Sequence, residues 1–321
     1  MDFYDLNEVN ELVELGFIQS KPGNRIALHP MMQEVAVSDL PPSITSCHTM
    51  LESIRATCRH HGLLLPYHQL MFQTIKNAID LAAKDDAAYY LLLLQDVFPY
   101  MENYRYMDGL RRLIAEMETV MDDHGMDMPK NRALLLQFRA MIETNIPNAA
   151  ALLEEAAAFF SEITPDNAHL ASNLHGNLGS MYRAMGQIEI ARRHMQTAIL
   201  LLEQYGLIGN HDSLVQYMNY AMLLYDSGEP KRALDGLQKW EPIFRALGED
   251  GADFAMYLQI MGGIYLKLGE VQRGEQYLMQ AIALYQDIWG DQPEELTKKK
   301  FEFVLFYAKA GLSVGKWLIE A

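Results

Sequence analysis

Apolar residues return along this chain in blocks that repeat every 40 to 42 positions, each with the three-to-four-residue spacing of an amphipathic helix. The block from Asn177 to Ala198 holds Leu178, Gly179, Tyr182, Gly186, Ala191, Met195 and Ala198. The next carries Tyr220, Ala221, Leu224, Gly228, Ala233, Leu237 and Trp240 at the same spacings, and a third carries Met261, Gly262, Tyr265, Gly269, Gly274, Leu278 and Ala281. Each block divides into two helices at an internal glycine, where Gly186, Gly228 or Gly269 supplies a left-handed residue that ends the first helix. Small residues at Gly179, Ala191 and Ala198 let neighbouring backbones approach, while Tyr182 and Met195 fill the space between the paired helices.

Two weaker copies precede these three: Val97, Tyr100, Gly109 and Leu113, then Leu136, Ala140, Ala149 and Leu153. A partial copy follows, with Phe303, Phe306, Ala310 and Gly315 in step. The small residues opening the second helices are Gly109, Ala149, Ala191, Ala233, Gly274 and Gly315, so the steps are 40, 42, 42, 41 and 41. One such hairpin cannot bury its apolar face alone. Regular repetition therefore predicts a solenoid in which stacked neighbours share a continuous core.

This residue set, in this order, resembles the tetratricopeptide repeat. The resemblance implies an all-α fold, a right-handed superhelix over residues 43–321 of some seven hairpins, the last incomplete. The usual repeat has about 34 residues, so each helix here is expected to run up to a turn longer.

The first forty residues follow another pattern. Leu6, Val9, Leu12, Val13 and Leu15 recur at helical spacing; Phe17 to Gln19 and Arg25 to Leu28 read as short strands joined by Lys21-Pro22-Gly23-Asn24. A second helix follows from Pro30 to about Val37, with proline at a first helical position. Helix, hairpin, helix is the back half of a winged helix. Seven acidic residues against Lys21 and Arg25 make residues 1–40 a poor reader of DNA. The run from Leu15-Gly16-Phe17-Ile18 through Ile26-Ala27-Leu28-His29-Pro30 to Met31-Met32-Gln33-Glu34-Val35-Ala36 is similar to the end of the winged-helix domain in NB-ARC signalling ATPases of the STAND class. In that family a Met-His-Asp motif monitors bound ADP and the winged helix often precedes a repeat sensor. Of that motif only His29 is present, between Leu28 and Pro30, so the aspartate's structural contact is missing. A strand-to-helix histidine satisfied by a local carbonyl is the plainer alternative. The resemblance implies a nucleotide-binding module upstream in a longer protein. No phosphate loop is found in the chain itself: Gly311-Leu312-Ser313-Val314-Gly315-Lys316-Trp317 has too few residues between its glycines and tryptophan where a hydroxyl is needed.

Acidic residues outnumber basic ones 42 to 26, for a formal charge of −16, which argues against a nucleic-acid partner and favours basic or neutral ones. The longest unbroken apolar run, Ala87 to Leu94, is far short of a membrane span, and the start of the chain lacks the features of a signal peptide. The expectation is a cytoplasmic location with no membrane association. Cys47 and Cys58 fall eleven residues apart in one expected helix, about 16 Å at 1.5 Å per residue, too far for a disulfide. Cys58, His60 and His61 lack a second ligand pair with zinc spacing, so no metal is expected. His175 lies on the apolar side of its helix and reads as a packed neutral ring. No arrangement of nucleophile, base and acid emerges, and neither catalysis nor a cofactor is expected.

The expected activity is therefore binding. In tetratricopeptide solenoids the first helix of each pair lines the concave surface. Here that places Leu94, Phe98 and Met101; Leu134, Phe138 and Met141; Asn173, Ser180 and Arg183; Met218, Met222 and Tyr225; and Met256, Gln259 and Lys267 on the inner face. Methionine and aromatic residues there suit an amphipathic helix or apolar peptide. Longer helices that pack more tightly would instead turn the same residues into core. The asparagine of the chaperone-tail clamp is replaced in successive repeats by Phe98, Phe138, Ser180, Met222 and Gly263, which disfavours that ligand. Two functions fit: the ligand sensor of a STAND-type signalling protein, or a stand-alone scaffold or peptide-pheromone receptor.

Overall fold

The computed structural model describes residues 18–21, 25–28, 41–60, 68–103, 106–209, 211–248, 251–289 and 293–313. Thirteen helices lie among the described residues: α1 His48–His60, α2 His68–Asp85, α3 Ala87–Asn103, α4 Met107–Asp123, α5 Pro129–Ile142, α6 Ile146–Ala158 and α7 Ala168–Ala184 come first. They are followed by α8 Ile188–Gln204, α9 His211–Asp226, α10 Pro230–Leu247, α11 Ala252–Lys267, α12 Val271–Trp289 and α13 Pro293–Lys309. Six successive pairs plus α13 reproduce the expected array, an all-α tetratricopeptide-like solenoid. From α7 onward the helices run 16 to 19 residues, which absorbs the long period.

The recurring glycines act as the spacing requires. Gly186 has φ 74°, Gly228 79° and Gly269 83°, and the residue after each donates back to the helix: Gln187 to the Tyr182 carbonyl, Glu229 to Leu224 and Glu270 to Tyr265, at 2.8–2.9 Å. These are Schellman ends. Within the pairs, a Cβ on Gly179 would stand 2.4 Å from Met195 Cγ, and one on Gly262 2.7 Å from Leu278 Cγ. Both positions thus demand the smallest residue.

The core is not evenly continuous. One cluster runs from Leu51 in α1 to Leu178 in α7, a second from Leu214 in α9 to Tyr307 in α13, and a small one of Ala191, Met195 and Leu223 sits between them. Polar packing accompanies the break, between α7 and α8 and between α7 and α9. Ser172 is buried with its hydroxyl on the Ala198 carbonyl at 3.0 Å, and Gln216 of α9 occupies the space above Gly176, where a Cβ would lie 1.6 Å from its amide oxygen.

Near the amino terminus, β1 Ile18–Lys21 pairs antiparallel with β2 Arg25–Leu28, with Ile18 opposite Leu28 and Lys21 opposite Arg25. The hairpin expected there is present, one residue later at its first strand. The flanking helices of the expected winged-helix segment, and His29, lie outside the described residues. Among the described residues no helix is long and apolar enough to cross a membrane.

Candidate binding face of the inner helices

The odd-numbered helices meet their counterparts one period away through side chains 39 to 43 residues apart, as in Arg55 with Asp96, Asn173 with Asp212, and Arg183 with Asp226. That edge is where the sequence places a groove, and much of it is closed. Leu94 and Phe98 are fully buried; Met101, Leu134, Phe138, Met218, Tyr225 and Gln259 are buried as well. For these eight the groove assignment is corrected: they are core. The rings of Phe98 and Phe138 stack at 4.1 Å between centroids and 9° between planes, sealing the inner edge between α3 and α5. Gln259 is held inside by the Tyr285 hydroxyl, which donates to its amide oxygen at 3.0 Å, and by Glu302, to which it donates. Met141, Asn173, Ser180, Arg183, Met222 and Met256 remain half-buried and Lys267 exposed, so the accessible remainder lies mainly on α7, α9 and α11.

Three of the expected residues, Arg183, Tyr225 and Lys267, come together at the carboxyl-terminal ends of the inner helices. Arg183 Nε and Lys309 Nζ both donate to the Asp226 carboxylate at 2.9 Å. Lys267 Nζ donates to the Lys309 carbonyl at 2.7 Å. The two ammonium groups sit 6.0 and 5.7 Å from the centre of the Tyr225 ring, within cation–π range. Phe306 of α13 meets the same ring edge-on at 5.6 Å, reaching past α11 because Gly263 has no side chain: a Cβ there would lie 2.2 Å from the Phe306 ring. Burial pushes the Tyr225 phenol up to about 12, aided by Asp226, so it stays neutral. Toward the other end of α7 and α9, Asn173 Nδ2 and His169 Nε2 both approach Asp212 at 3.1 Å. The face thus has polar ends and Ser180, Met222 and Met256 between them.

Asp212, Asp226, His169 and Lys309 are absent from the sequence-derived set. The only signal available is their place near helix ends in the repeat; that Lys309 returns to Asp226 over 83 residues, two periods, is invisible to local spacing.

Elsewhere the chemistry is structural. His175 and His194 share a hydrogen bond between their Nδ1 atoms at 3.0 Å, and Tyr182 stacks on His194. Burial, reinforced by His194, lowers His175 to about 4, so the packed neutral ring is present as expected. Cys47 and Cys58 are free thiols, and burial raises Cys58 to about 12, which leaves it a poor nucleophile. Among the described residues no group of three or more His, Cys, Asp or Glu is disposed to hold a metal. An open crevice of about 420 Å³ between α4, α5 and α6, lined by Arg111, Ile114, Arg139 and Leu152, shares no residue with the inner face.

No protein-family model and no curated protein matches the chain. Solved structures do. A Rap protein in complex with competence and sporulation factor superposes over 87% of this chain and 72% of its own, with TM-score 0.53 and 16% identity. A STAND protein with a tetratricopeptide repeat sensor from Pyrococcus horikoshii matches 96% of this chain with TM-score 0.52 and 16% identity; the chain spans about half, 47%, of that protein. BtubC from P. vanneervenii matches over 65% of this chain and 84% of its own, with TM-score 0.51 and 20% identity. At these identities the likeness speaks to architecture, and with the observed helix pairs it shows what the fold is: an all-helical solenoid of tetratricopeptide type.

Proposed function

We propose that this chain is a protein- or peptide-binding module whose ligand lies along the inner edge of α7, α9 and α11. The observation that carries the reading is the accessible strip of Ser180, Met222 and Met256 between two polar ends, on a scaffold where eight of the other inner positions are closed. Methionine adapts to varied apolar shapes, so the strip suits an apolar or amphipathic helical segment. Met141 on α5 extends it toward the amino-terminal repeats. The solved relatives support a binding role: one is a complex with competence and sporulation factor and another carries its repeats as a sensor. The chain acts by binding and not by catalysis, in the cytoplasm.

Within that reading the array is the ligand-sensing part of a STAND-type signalling protein. Residues 1–40 are the remnant of its winged helix, His29 is the surviving residue of the nucleotide-sensing motif, and the nucleotide-binding module lies upstream. The β1–β2 hairpin favours this over a stand-alone scaffold or peptide-pheromone receptor, which needs no wing. The binding role is tested by selecting random twelve-residue peptides on the immobilised chain and measuring the selected peptides against Met222→Glu. Loss of at least tenfold in affinity is expected. Equal binding by both proteins would remove the strip from consideration.

A further inference from the structure

We propose that the rim formed by Arg183, Lys267 and Lys309 is a carboxylate-binding site that anchors one end of the bound peptide; this rests on the binding role proposed above and names the ligand chemistry. Two cations from the last turns of α7 and α13, Arg183 and Lys309, share one carboxylate, Asp226, and a third from the last turn of α11, Lys267, stands beside them over the Tyr225 ring, in a chain whose formal charge is −16. Arg183 and Lys309 are not needed to finish the helices, whereas Lys267 donates to the Lys309 carbonyl at the end of α13. The last carbonyls of α7 already accept from the Gly186 and Gln187 amides, and those of α13 from the Gly311 and Leu312 amides. Arg183 and Lys309 are instead directed to Asp226.

Asp226 satisfies only part of what the cations offer. Arg183 binds it through Nε, and among the described residues its two terminal nitrogens make no hydrogen bond. Lys309 is half exposed and gives Asp226 one hydrogen bond, and Lys267 is exposed. A guanidinium with its terminal nitrogens open and two ammonium groups held over one aromatic ring are the donors that a second carboxylate needs. Asp226 aligns two of them. The incoming group, a peptide's terminal carboxylate or a glutamate or aspartate side chain, adds the counter-charge that Asp226 alone does not supply. This rim lies at the helix ends, one turn beyond Ser180, Met222 and Gly263, which carry no charge.

The test uses the full chain and an array of random octapeptides made in two forms, one with a free terminal carboxylate and one amidated. Peptides that bind should contain carboxylates at least fivefold more often than the input, a bias opposed by the protein's overall charge. The free-acid arm scores the terminal carboxylate, and the glutamate and aspartate content of the amidated arm scores side chains. Lys267→Met with Lys309→Met, both at solvent-accessible positions, should abolish the enrichment, Arg183→Gln should reduce it, and Asp226→Asn should preserve or raise it. Melting curves accompany each variant. Enrichment that is absent, or that persists in the lysine double variant, overturns the proposal. If Met222-dependent peptides still bind without carboxylate preference, the groove stands and the anchor falls; if no bound peptide depends on Met222, both fall.

Discussion

Lys309, the last residue of α13, donates a 2.9 Å hydrogen bond to Asp226, the last residue of α9, although a whole repeat separates the two helices. In a solenoid each repeat ordinarily touches only its neighbours. Here the hydrogen bond joins one repeat to the next but one. The tie is reinforced by Phe306 against Tyr225, and it depends on the empty position at Gly263.

Gly263→Val should therefore be costly where a change at an open helical glycine is not. The new side chain would displace Phe306 from Tyr225, with an overpacking cost of about 1–3 kcal/mol. A Cβ on Gly236 in α10 would meet nothing within 4 Å, so Gly236→Ala should stabilise, by up to about 1 kcal/mol. Urea unfolding of the two variants checks the contrast. Equal midpoints would mean that Phe306 does not need the gap.

Acid sensitivity should begin above the usual carboxylate range. His175 is held at about 4 in the folded protein against 6.5 unfolded, so between those values the unfolded chain binds more protons. Its contribution to stability is complete above pH 6.5 and is lost as pH falls toward 4. The expected loss is about 1–2 kcal/mol, reduced from the full shift because the ring keeps some contact with solvent. Glu52, Asp127 and Glu229, whose pKa values are lowered by hydrogen bonds to Tyr89 and to arginines, stay charged between pH 6.5 and 5 and do not confuse that window. His175→Gln should reduce the pH dependence of the melting temperature there, leaving the part due to His194, whose pKa burial also lowers, and an unchanged slope would assign the effect elsewhere.

Phe138 and Met222 should separate core from groove. Phe138→Glu places a carboxylate against the Phe98 ring in a buried stack, so it should destabilise the array by several kcal/mol or unfold it. Met222→Glu, at a half-buried inner position, should change stability by about 1 kcal/mol or less. Circular dichroism melting reads both. Similar melting of the two variants would place them in the same environment.

The contrast between those residues shows what is legible in the sequence. Helix pairs, their glycine ends and the tight contacts at Gly179 and Gly262 follow from spacing, because each depends on residues within one repeat. Whether an inner methionine or phenylalanine faces solvent depends on how near the next inner helix lies. Phe98 and Phe138 hold equivalent positions one period apart, and their mutual stacking cannot be read from either repeat alone. Gly263 is legible as a position lacking the clamp asparagine, but its use as a passage for Phe306 is not. Asp226 escapes notice because an acidic residue at a helix end reads as solvated surface.

The most direct test of the binding face is site-specific photocrosslinking. A benzoylphenylalanine replaces Met222 on the inner edge or Leu200, which is 60% exposed on α8. Peptides selected on the unmodified chain are then irradiated with each protein. Efficient crosslinks are expected from position 222 and none above background from position 200; crosslinks from 200 with none from 222 would contradict a binding face on the inner edge.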